Sequence, residues 1–322
     1  MKILVTGAAG FIGSHLVEKL LNIHHDVVGL DNFDNYYDPK VKVRNLKAAL
    51  DDSRFMMVKG DILDNDIMEN LFSNHEINVV VHLAARAGVR ASINDPVRCF
   101  RNNVDATTNL LEFCKKRNIK KFVFASSSSV YGNAQQVPFL EDQNVDHPIS
   151  PYAASKKSAE LVCYTFHHLY NIDIYALRFF TVYGPRQRPD MAIHKFTKLI
   201  LENEPLPVFA EGNLKRDFTF IDDIVHGLLN SIESVRGFEV INLGDSKTIS
   251  VSQLIMLIEQ YLGKKAKKNM LPLQPGDVVE TYADISKAKR FLNYEPSVQI
   301  QEGIRRFLDW YLANSGGQKP LT

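Results

Sequence analysis

The sequence has few cysteines, almost no net charge and no long apolar run. Among its 322 residues only Cys99, Cys114 and Cys163 are cysteines, an odd number without the paired spacing of a disulfide framework or a zinc site. Lys and Arg number 38 against 37 Asp and Glu, which argues against a nucleic-acid-binding surface. No apolar run approaches the length of a membrane span. We therefore predict reduced cysteines, no bound metal, and neither nucleic acid nor membrane as a partner.

The first residues already form a strand pattern. The stretch "MKILVTG" leaves no room for the charged leader and apolar core of a secretory signal. Reduced cysteines are typical of cytoplasmic proteins. We therefore expect a cytoplasmic protein.

Short β-branched runs alternate with longer helical patterns along the first half of the chain. The runs are "ILVTG", "VVGLD", "FMMVKGDI", "VVVHLAA", "KFVFASS" and "IYALRFF". Several are apolar on both faces, as expected of parallel strands that helices cover on each side. The pattern predicts an α/β fold with a doubly wound parallel sheet of the Rossmann type.

The composition changes after Phe180 to loops rich in Pro and Arg. We predict a main domain over residues 1–180 and a smaller, mainly ligand-binding domain over 181–322, with helices near 192–202, 222–234 and 251–262. The strand-like "EVINLG" at Glu239 to Gly244 is expected to return to the main sheet. A segment near 215–245 would then belong with the first domain.

Three glycines follow the first strand, at the start of a helical pattern. Gly7, Gly10 and Gly13 allow a tight turn and close approach of a pyrophosphate to the helix N-terminus. Asp31 ends the second strand, 18 residues past Gly13, where a carboxylate can accept hydrogen bonds from the adenosine ribose. It would also repel a 2′-phosphate. The pattern predicts NAD rather than NADP as cofactor, with Asp61, after the third strand, facing the adenine amino group.

A tyrosine and a lysine four residues apart recur three times. The pairs are Tyr36 with Lys40, Tyr152 with Lys156, and Tyr261 with Lys265. Pro39 and Gly263 interrupt the first and third, so only the middle pair has a helical context. There both side chains share one face, and the ammonium is expected to lower the pKa of the Tyr152 phenol and make it a general base.

Several longer motifs are similar to those of a known enzyme family. "TGAAGFIGSHL", "HLAA", "NNVDATTNLLE", "SSSSVYG", "PYAASK" and "RDFTFIDD" together resemble the extended short-chain dehydrogenases/reductases that act on nucleotide sugars. Within that family, "AARAGVR" and "RFFTVYGPRQRPDMA" are most similar to the UDP-glucuronate 4-epimerases. The resemblance implies NAD-dependent epimerisation at C4 of a UDP-sugar, from UDP-glucuronate to UDP-galacturonate, through a transient 4-keto sugar.

The resemblance also implies roles for individual residues. Tyr152 is the expected base and acid, Lys156 its electrostatic partner, and Ser127 the hydroxyl that bonds the 4-hydroxyl of the sugar. The implied NAD contacts are Gly7, Gly10, Phe11, Ile12, Gly13, Asp31, Asn32, Asp61, Ile62, Ala84, Ala85, Asn102, Tyr152 and Lys156.

Arginines and hydroxyls form the expected substrate side. Arg216 matches the phosphate-binding arginine of the family, and Arg186 and Arg188 are further candidates because guanidinium forks suit phosphate and carboxylate oxygens. The remaining implied substrate contacts are Arg90, Ser128, Ser129, Thr181 and Asp277. Gln274 departs from the arginine that many UDP-sugar epimerases have there.

Other functions fit parts of the pattern. UDP-glucuronate decarboxylases and sugar 4,6-dehydratases resemble this chain but carry acidic residues where it has Ser128 and Ser129, which favours epimerisation. A neutral UDP-sugar, UDP-glucose or UDP-N-acetylglucosamine, remains an alternative substrate. A non-catalytic dinucleotide sensor would need neither Tyr152 nor Lys156. By analogy with relatives, helices near 102–117 and 152–169 predict a homodimer, with Leu110, Leu111, Phe113, Leu161 and Phe166 either in that interface or in the core.

Overall fold

A parallel sheet forms the centre of the molecule. The computed structural model describes residues 1–134, 136–273, 278 and 280–314. In that part of the chain the main sheet has seven strands, all paired in parallel. In spatial order they are β10 (Phe238–Leu243), β6 (Asp173–Phe179), β5 (Lys121–Ser127), β4 (Val79–His82), β1 (Lys2–Thr6), β2 (Asp26–Asp31) and β3 (Phe55–Lys59).

Helices cover both faces of this sheet because its strands are apolar on both sides. Along β1, Ile3 and Val5 point into one buried cluster while Leu4 points into a second cluster on the opposite face. The helices in the first part of the chain are α1 (Phe11–Asn22), α2 (Pro39–Asn45), α3 (Lys47–Leu50), α4 (Asn65–Asn74), α5 (Val89–Asn94), α6 (Pro96–Phe100), α7 (Ala106–Lys116) and α8 (Pro151–Tyr170). The predicted doubly wound α/β fold is confirmed.

The chain after β6 forms two smaller sheets. Its three-stranded sheet has the order β11 (Thr248–Ser250), β9 (Lys215–Phe220) and β7 (Thr181–Tyr183), and β8 (Pro205–Phe209) pairs with β12 (Lys267–Leu271). The later helices are α9 (Ala192–Leu201), α10 (Ile221–Ser234), α11 (Val251–Leu262), α12 (Ser286–Leu292) and α13 (Ile300–Asn314). The strand expected near Glu239 is β10, at the edge of the main sheet beside β6. The division into two domains stays a prediction.

Two short irregular helices lie next to the carboxyl edge of the main sheet. A π-helix, Arg101–Asp105, joins α6 to α7, and a 3₁₀ turn, Ser128–Tyr131, follows β5 directly. The strand order reverses between β1 and β4, and in open α/β sheets ligands bind at the carboxyl ends of the strands at such a point. The fold therefore predicts a ligand-binding site at this edge.

Two features are absent from the part of the chain that the structure describes. No helix there is both long and apolar enough to cross a membrane. Nor do three or more His, Cys, Asp or Glu side chains group there in a way that could hold a metal ion.

Candidate active site

A cavity of about 400 Å³ lies at the carboxyl edge of the main sheet. Every residue predicted to contact NAD belongs to its lining, and so do Ser127, Ser128, Ser129, Thr181 and Arg188. Its volume is in the range of small-molecule and cofactor sites. The structure thus brings the predicted cofactor and catalytic residues into one site.

The glycine loop packs so closely that side chains do not fit. Gly7 has φ +68°, and a Cβ there would lie 2.8 Å from the backbone nitrogen of Ala84. A Cβ on Gly13 would lie 2.1 Å from the carbonyl oxygen of Gly7. Gly10 caps α1 without a side-chain hydrogen bond, so backbone N–H groups of the first turn remain for a ligand. This cradle fits the diphosphate of a dinucleotide.

Asp31 lines the cavity with its carboxylate already bonded. It accepts hydrogen bonds from the backbone N–H of Ala9 at 3.2 Å and of Phe33 at 2.8 Å. The Lys42 ammonium, which the sequence reasoning missed, lies 3.3 Å from its Oδ1. The negative charge that a ribose 2′-phosphate would meet is therefore smaller than that of an isolated carboxylate.

Asp61 is also engaged within the protein. Its Oδ2 accepts a hydrogen bond from the Asn32 side chain at 2.8 Å, and its Oδ1 accepts one from the Leu63 backbone at 2.9 Å. Both Asn32 and Asp61 line the cavity. The pair therefore presents a fixed polar surface there.

The Tyr152–Lys156 pair lies in the first turns of α8. Ser150 caps this helix by accepting a hydrogen bond from the Ala153 N–H at 3.1 Å, and Pro151 is its first residue. In contrast, Tyr36 precedes α2, and α11 ends before Lys265. Of the three Tyr-x-x-x-Lys copies, only the middle one lies within a helix.

Three residues at successive turns of α8 hold the end of β5. The Lys156 ammonium donates to the carbonyl of Ala125 at 2.7 Å, and Ser126 donates to Glu160 Oε1 at 2.6 Å. The Ser127 hydroxyl lies close enough to the Tyr152 phenol to lower its pKa. Positions 152, 156 and 160 share one helix face, and that face docks on three consecutive strand residues.

A buried ion pair stabilises this contact between α8 and β5. Arg178 on β6 donates from Nε and Nη2 to the two carboxylate oxygens of Glu160, each at 2.9 Å. The side chains are 2% and 3% exposed. The carboxylate thereby has partners for both oxygens, as a buried charge requires.

The prediction that the pKa of the Tyr152 phenol is lowered is wrong. Burial raises the pKa of the Tyr152 phenol above its ordinary value, and the Ser127 hydrogen bond and the Arg188 charge only partly oppose it. Burial also lowers the pKa of Lys156, to about 8. The sequence spacing indicates that the two residues share a helix face. It does not indicate how far the fold buries them away from water.

The serines after β5 make local bonds as well as lining the cavity. The Ser127 hydroxyl accepts a hydrogen bond from the Ser129 backbone N–H at 3.2 Å and donates to the Ser129 hydroxyl, also at 3.2 Å. Ser127 thus caps the 3₁₀ turn, as such residues commonly do. Ser128 and Ser129 remain partly exposed to the cavity.

The predicted substrate arginines separate into two groups. Arg188 lines the cavity and binds Asp190 through two hydrogen bonds, Nε to Oδ1 at 3.0 Å and Nη2 to Oδ2 at 2.9 Å. Arg186 does not line it, because its guanidinium pairs with Glu18 of α1 at 2.7 Å.

Arg90 and Arg216 also lie outside the cavity lining. The Arg90 guanidinium lies over the Phe209 ring, 5.0 Å from its centroid. Arg216 on β9 donates from Nη1 to the carbonyl of Lys215 at 2.8 Å. The predicted contact Asp277, like Gln274, lies outside the described residues.

Arg86, Tyr36 and Tyr37 line the cavity but were not predicted as site residues. The two tyrosines belong to the loop between β2 and α2. The Arg86 and Arg188 guanidiniums lie over the Tyr36 ring at 5.1 Å and 5.5 Å from its centroid. The motif "AARAGVR" indicates the loop that carries Arg86, but the substrate contact predicted from that loop is Arg90.

Together the glycine cradle, the Tyr–Lys pair and the strand-end serine share one cavity, an arrangement that defines a dinucleotide-binding α/β protein. The family model described as GDP-mannose 4,6 dehydratase matches residues 4–307. The chain belongs to this family of extended short-chain dehydrogenases/reductases.

Individual relatives match over almost the whole chain. A UDP-glucuronate 4-epimerase of Thermodesulfobacterium geofontis is 47% identical over 97% of this chain and 96% of its own length. The crystal structure of UDP-glucuronic acid 4-epimerase from Bacillus cereus, in complex with UDP-glucuronic acid and NAD, has a TM-score of 0.91 and 43% identity, covering 96% of this chain and 98% of that one. UDP-glucose 4-epimerase from Thermotoga maritima, with UDP-glucose, has a TM-score of 0.90 and 34% identity, covering 98% and 100%.

Proposed function

We propose that this chain converts UDP-glucuronate to UDP-galacturonate as a 4-epimerase. NAD-dependent 4-epimerisation of a UDP-sugar is the activity of its relatives and structural neighbours and is the enzyme class of this chain. The observation that carries the proposal is the placement of Tyr152, Lys156 and Ser127 in one cavity with the glycine cradle and with Arg188.

The residues of the chain would divide the work as follows. Because burial raises the pKa of the Tyr152 phenol, its phenolate is the minor form; that form takes the proton of the 4-hydroxyl and later returns it, while Ser127 holds the hydroxyl within reach. When bound, NAD supplies the hydride acceptor that is reduced and reoxidised within one turnover. Lys156, fixed by the Ala125 carbonyl, keeps a positive charge beside this site below about pH 8.

Serines rather than acidic residues beside the reacting carbon favour epimerisation over elimination. Ser128 and Ser129 follow Ser127 in the cavity lining, and a hydroxyl cannot replace the carboxylic acid or carboxylate that decarboxylases and dehydratases use in later steps. Asp190, a nearby carboxylate, is held by Arg188. A sensor of dinucleotides is less well supported, because it would not need the catalytic group at all.

Arg188 and the cavity hydroxyls favour an acidic sugar. The Arg188 charge is close enough to Tyr152 to lower the pKa of its phenol, so it lies toward the sugar end of the cavity. A guanidinium there suits a C5 carboxylate. Neutral-sugar epimerases also have this fold, so the carboxylate is the part of the proposal that needs the test.

The direct test supplies UDP-glucuronate and UDP-glucose separately to the purified protein. We expect UDP-galacturonate, with its carboxylate retained, from UDP-glucuronate and a kcat/KM at least about 10-fold lower for UDP-glucose, because a neutral sugar has no carboxylate to interact with the Arg188 charge. Chromatography with mass spectrometry identifies the products. Accumulation of UDP-xylose or a 4-keto pentose would instead identify a decarboxylase, and turnover of UDP-glucose alone a neutral-sugar epimerase.

Carboxylate retention gives a second prediction. The 4-keto form of the sugar is a β-keto acid, which loses carbon dioxide when its carboxylate bond aligns with the carbonyl π-system. We propose that the hydroxyls of Ser128, Ser129 and Thr181 hold the carboxylate out of that alignment. Ser128→Ala combined with Thr181→Ala should raise the pentose fraction of the product several-fold, measured as a ratio within each reaction. An unchanged ratio would remove this account while leaving the epimerisation intact.

A cytoplasmic homodimer remains part of the proposal. Leu110, Leu111, Phe113 and Phe166 are buried in the core, so of the residues predicted for either role only Leu161, 56% exposed, is free to serve an interface. Other apolar side chains exposed on α6 and α8 are Val97, Phe100, Tyr164 and Leu169. These neighbours support pairing through this face.

A further inference from the structure

Arg86 lines the cavity and has an unused donor. Its side chain is 15% exposed, and its Nε is buried with no hydrogen-bond partner among the described residues. Its Nη1 lies 3.5 Å from Asp34 Oδ1, beyond the usual hydrogen-bond distance. A buried N–H without a partner is rare unless a ligand completes it.

The backbone of Arg86 is fixed on both sides by one buried side chain. Asn103 Oδ1 accepts from the Arg86 N–H at 2.8 Å, and Asn103 Nδ2 donates to the Arg86 carbonyl at 3.2 Å. The same Nδ2 reaches Ser155 Oγ on α8 at 2.9 Å. Asn103 is 1% exposed and belongs to the π-helix, an irregularity often found at functional sites. The position of Arg86 is therefore built into the fold.

The neighbours of the Arg86 side chain leave most of its charge available. Its guanidinium lies over the Tyr36 ring. Asp34, its acidic neighbour, is bound more closely by Arg98, whose Nη2 lies 2.6 Å from Oδ2. Arg98 is the more exposed of the two arginines and does not line the cavity. One carboxylate thus pairs with two guanidiniums, and the more exposed of the two, Arg98, is the closer partner.

The loop that carries Arg86 adjoins the glycine cradle. The backbone nitrogen of Ala84, two residues before Arg86, would lie 2.8 Å from a Cβ at Gly7. Arg188, not Arg86, is among the main charges that act on Tyr152. Because its loop adjoins the glycine cradle, Arg86 lies toward the part of the cavity where diphosphates are expected.

We propose that Arg86 binds diphosphate oxygens through its Nε and its guanidinium fork. Diphosphate is common to NAD and the UDP-sugar, and a planar fork with a free N–H suits it better than a single ammonium would. The identity of these two ligands rests on the proposed function. Tyr36 orients the fork by stacking, and Asn103 fixes the loop from which it extends.

The test compares Arg86→Gln with Arg98→Gln in the full chain. Both variants remove one guanidinium from Asp34, but only the first removes the cavity donor. Calorimetry with UDP and with uridine measures what the diphosphate adds to binding in the UDP-sugar site. Chromatography of protein denatured after equilibration with a series of NAD concentrations measures NAD bound per chain and the concentration needed for saturation. In Arg86→Gln we expect a 10- to 100-fold fall in the uridine-to-UDP ratio of Kd values, or a comparable rise in the NAD concentration needed for saturation. Arg98→Gln should stay within about twofold of wild type in both.

The two arms distinguish the sources of the diphosphate. A changed uridine-to-UDP ratio assigns Arg86 to the UDP-sugar, and weakened NAD binding assigns it to the cofactor. If neither changes, or if only the discrimination between UDP-glucuronate and UDP-glucose changes, the proposal is overturned. Arg86→Lys keeps the charge without the fork, should lose an intermediate amount, and replaces Arg86→Gln if that variant does not fold. Binding needs no turnover, so a failure of the proposed reaction would be seen separately.

Discussion

Tyr152→Phe is expected to lower kcat by about 100-fold or more while KM stays within several-fold of wild type. The variant removes one oxygen from a phenol that lines the cavity near Ser127 and Arg188. That oxygen would carry the proton of the sugar hydroxyl in the transition state but contribute little to binding of the ground state. Steady-state kinetics with UDP-glucuronate measure both constants.

Two other tyrosines serve as controls for this experiment. Tyr261 on α11 bonds to Asp309, away from the cavity, so Tyr261→Phe should leave kcat unchanged. Tyr36→Phe keeps the ring beneath both guanidiniums and loses only a 3.5 Å contact with Asp190, so its effect should also be small. Near-normal turnover by Tyr152→Phe, with NAD content equal to wild type, would refute the role given to Tyr152.

Glu160→Gln is expected to lower the free energy of unfolding by about 3–5 kcal/mol. The substitution removes the negative charge from a buried pair and leaves the Arg178 guanidinium, 2% exposed, without a counter-charge. It also weakens the Ser126 contact at the end of β5, so kcat should fall with stability. Urea denaturation at saturating NAD, followed by fluorescence, measures the change.

The chain contains an exposed pair of the same geometry. On α13, Arg305 donates to Glu302 at 2.9 Å and 2.7 Å, with side chains 53% and 45% exposed. Glu302→Gln should give no measurable loss of stability, because water already solvates both groups. Equal losses in the two variants would show that burial of the Glu160–Arg178 pair is not what makes it important.

The sequence predicted the features that depend on neighbouring residues. The strand before the glycines, the helix after them and the carboxylate at Asp31 follow from local periodicity and turn chemistry. Resemblance then supplied the roles of Tyr152, Lys156 and Ser127, whose side chains the structure brings together.

Partners distant in the chain were not predictable in this way. Arg186 does not line the candidate site because its guanidinium pairs with Glu18, which is distant in sequence. Lys42 acquired a role because the start of α2 approaches the end of β2. The raised pKa of Tyr152 depends on water excluded by several elements at once, which spacing within one helix does not describe.

The contact between α8 and β5 fixes the positions of Tyr152 and Lys156 relative to the end of the strand. Each residue advances a helix by about 100°, so deleting one residue between positions 156 and 160 would turn Glu160 away from Arg178 and Ser126. The connection between Tyr131 and Ser150 lies outside the strand and the helix, so a change of its length would not by itself rotate one of these residues relative to another.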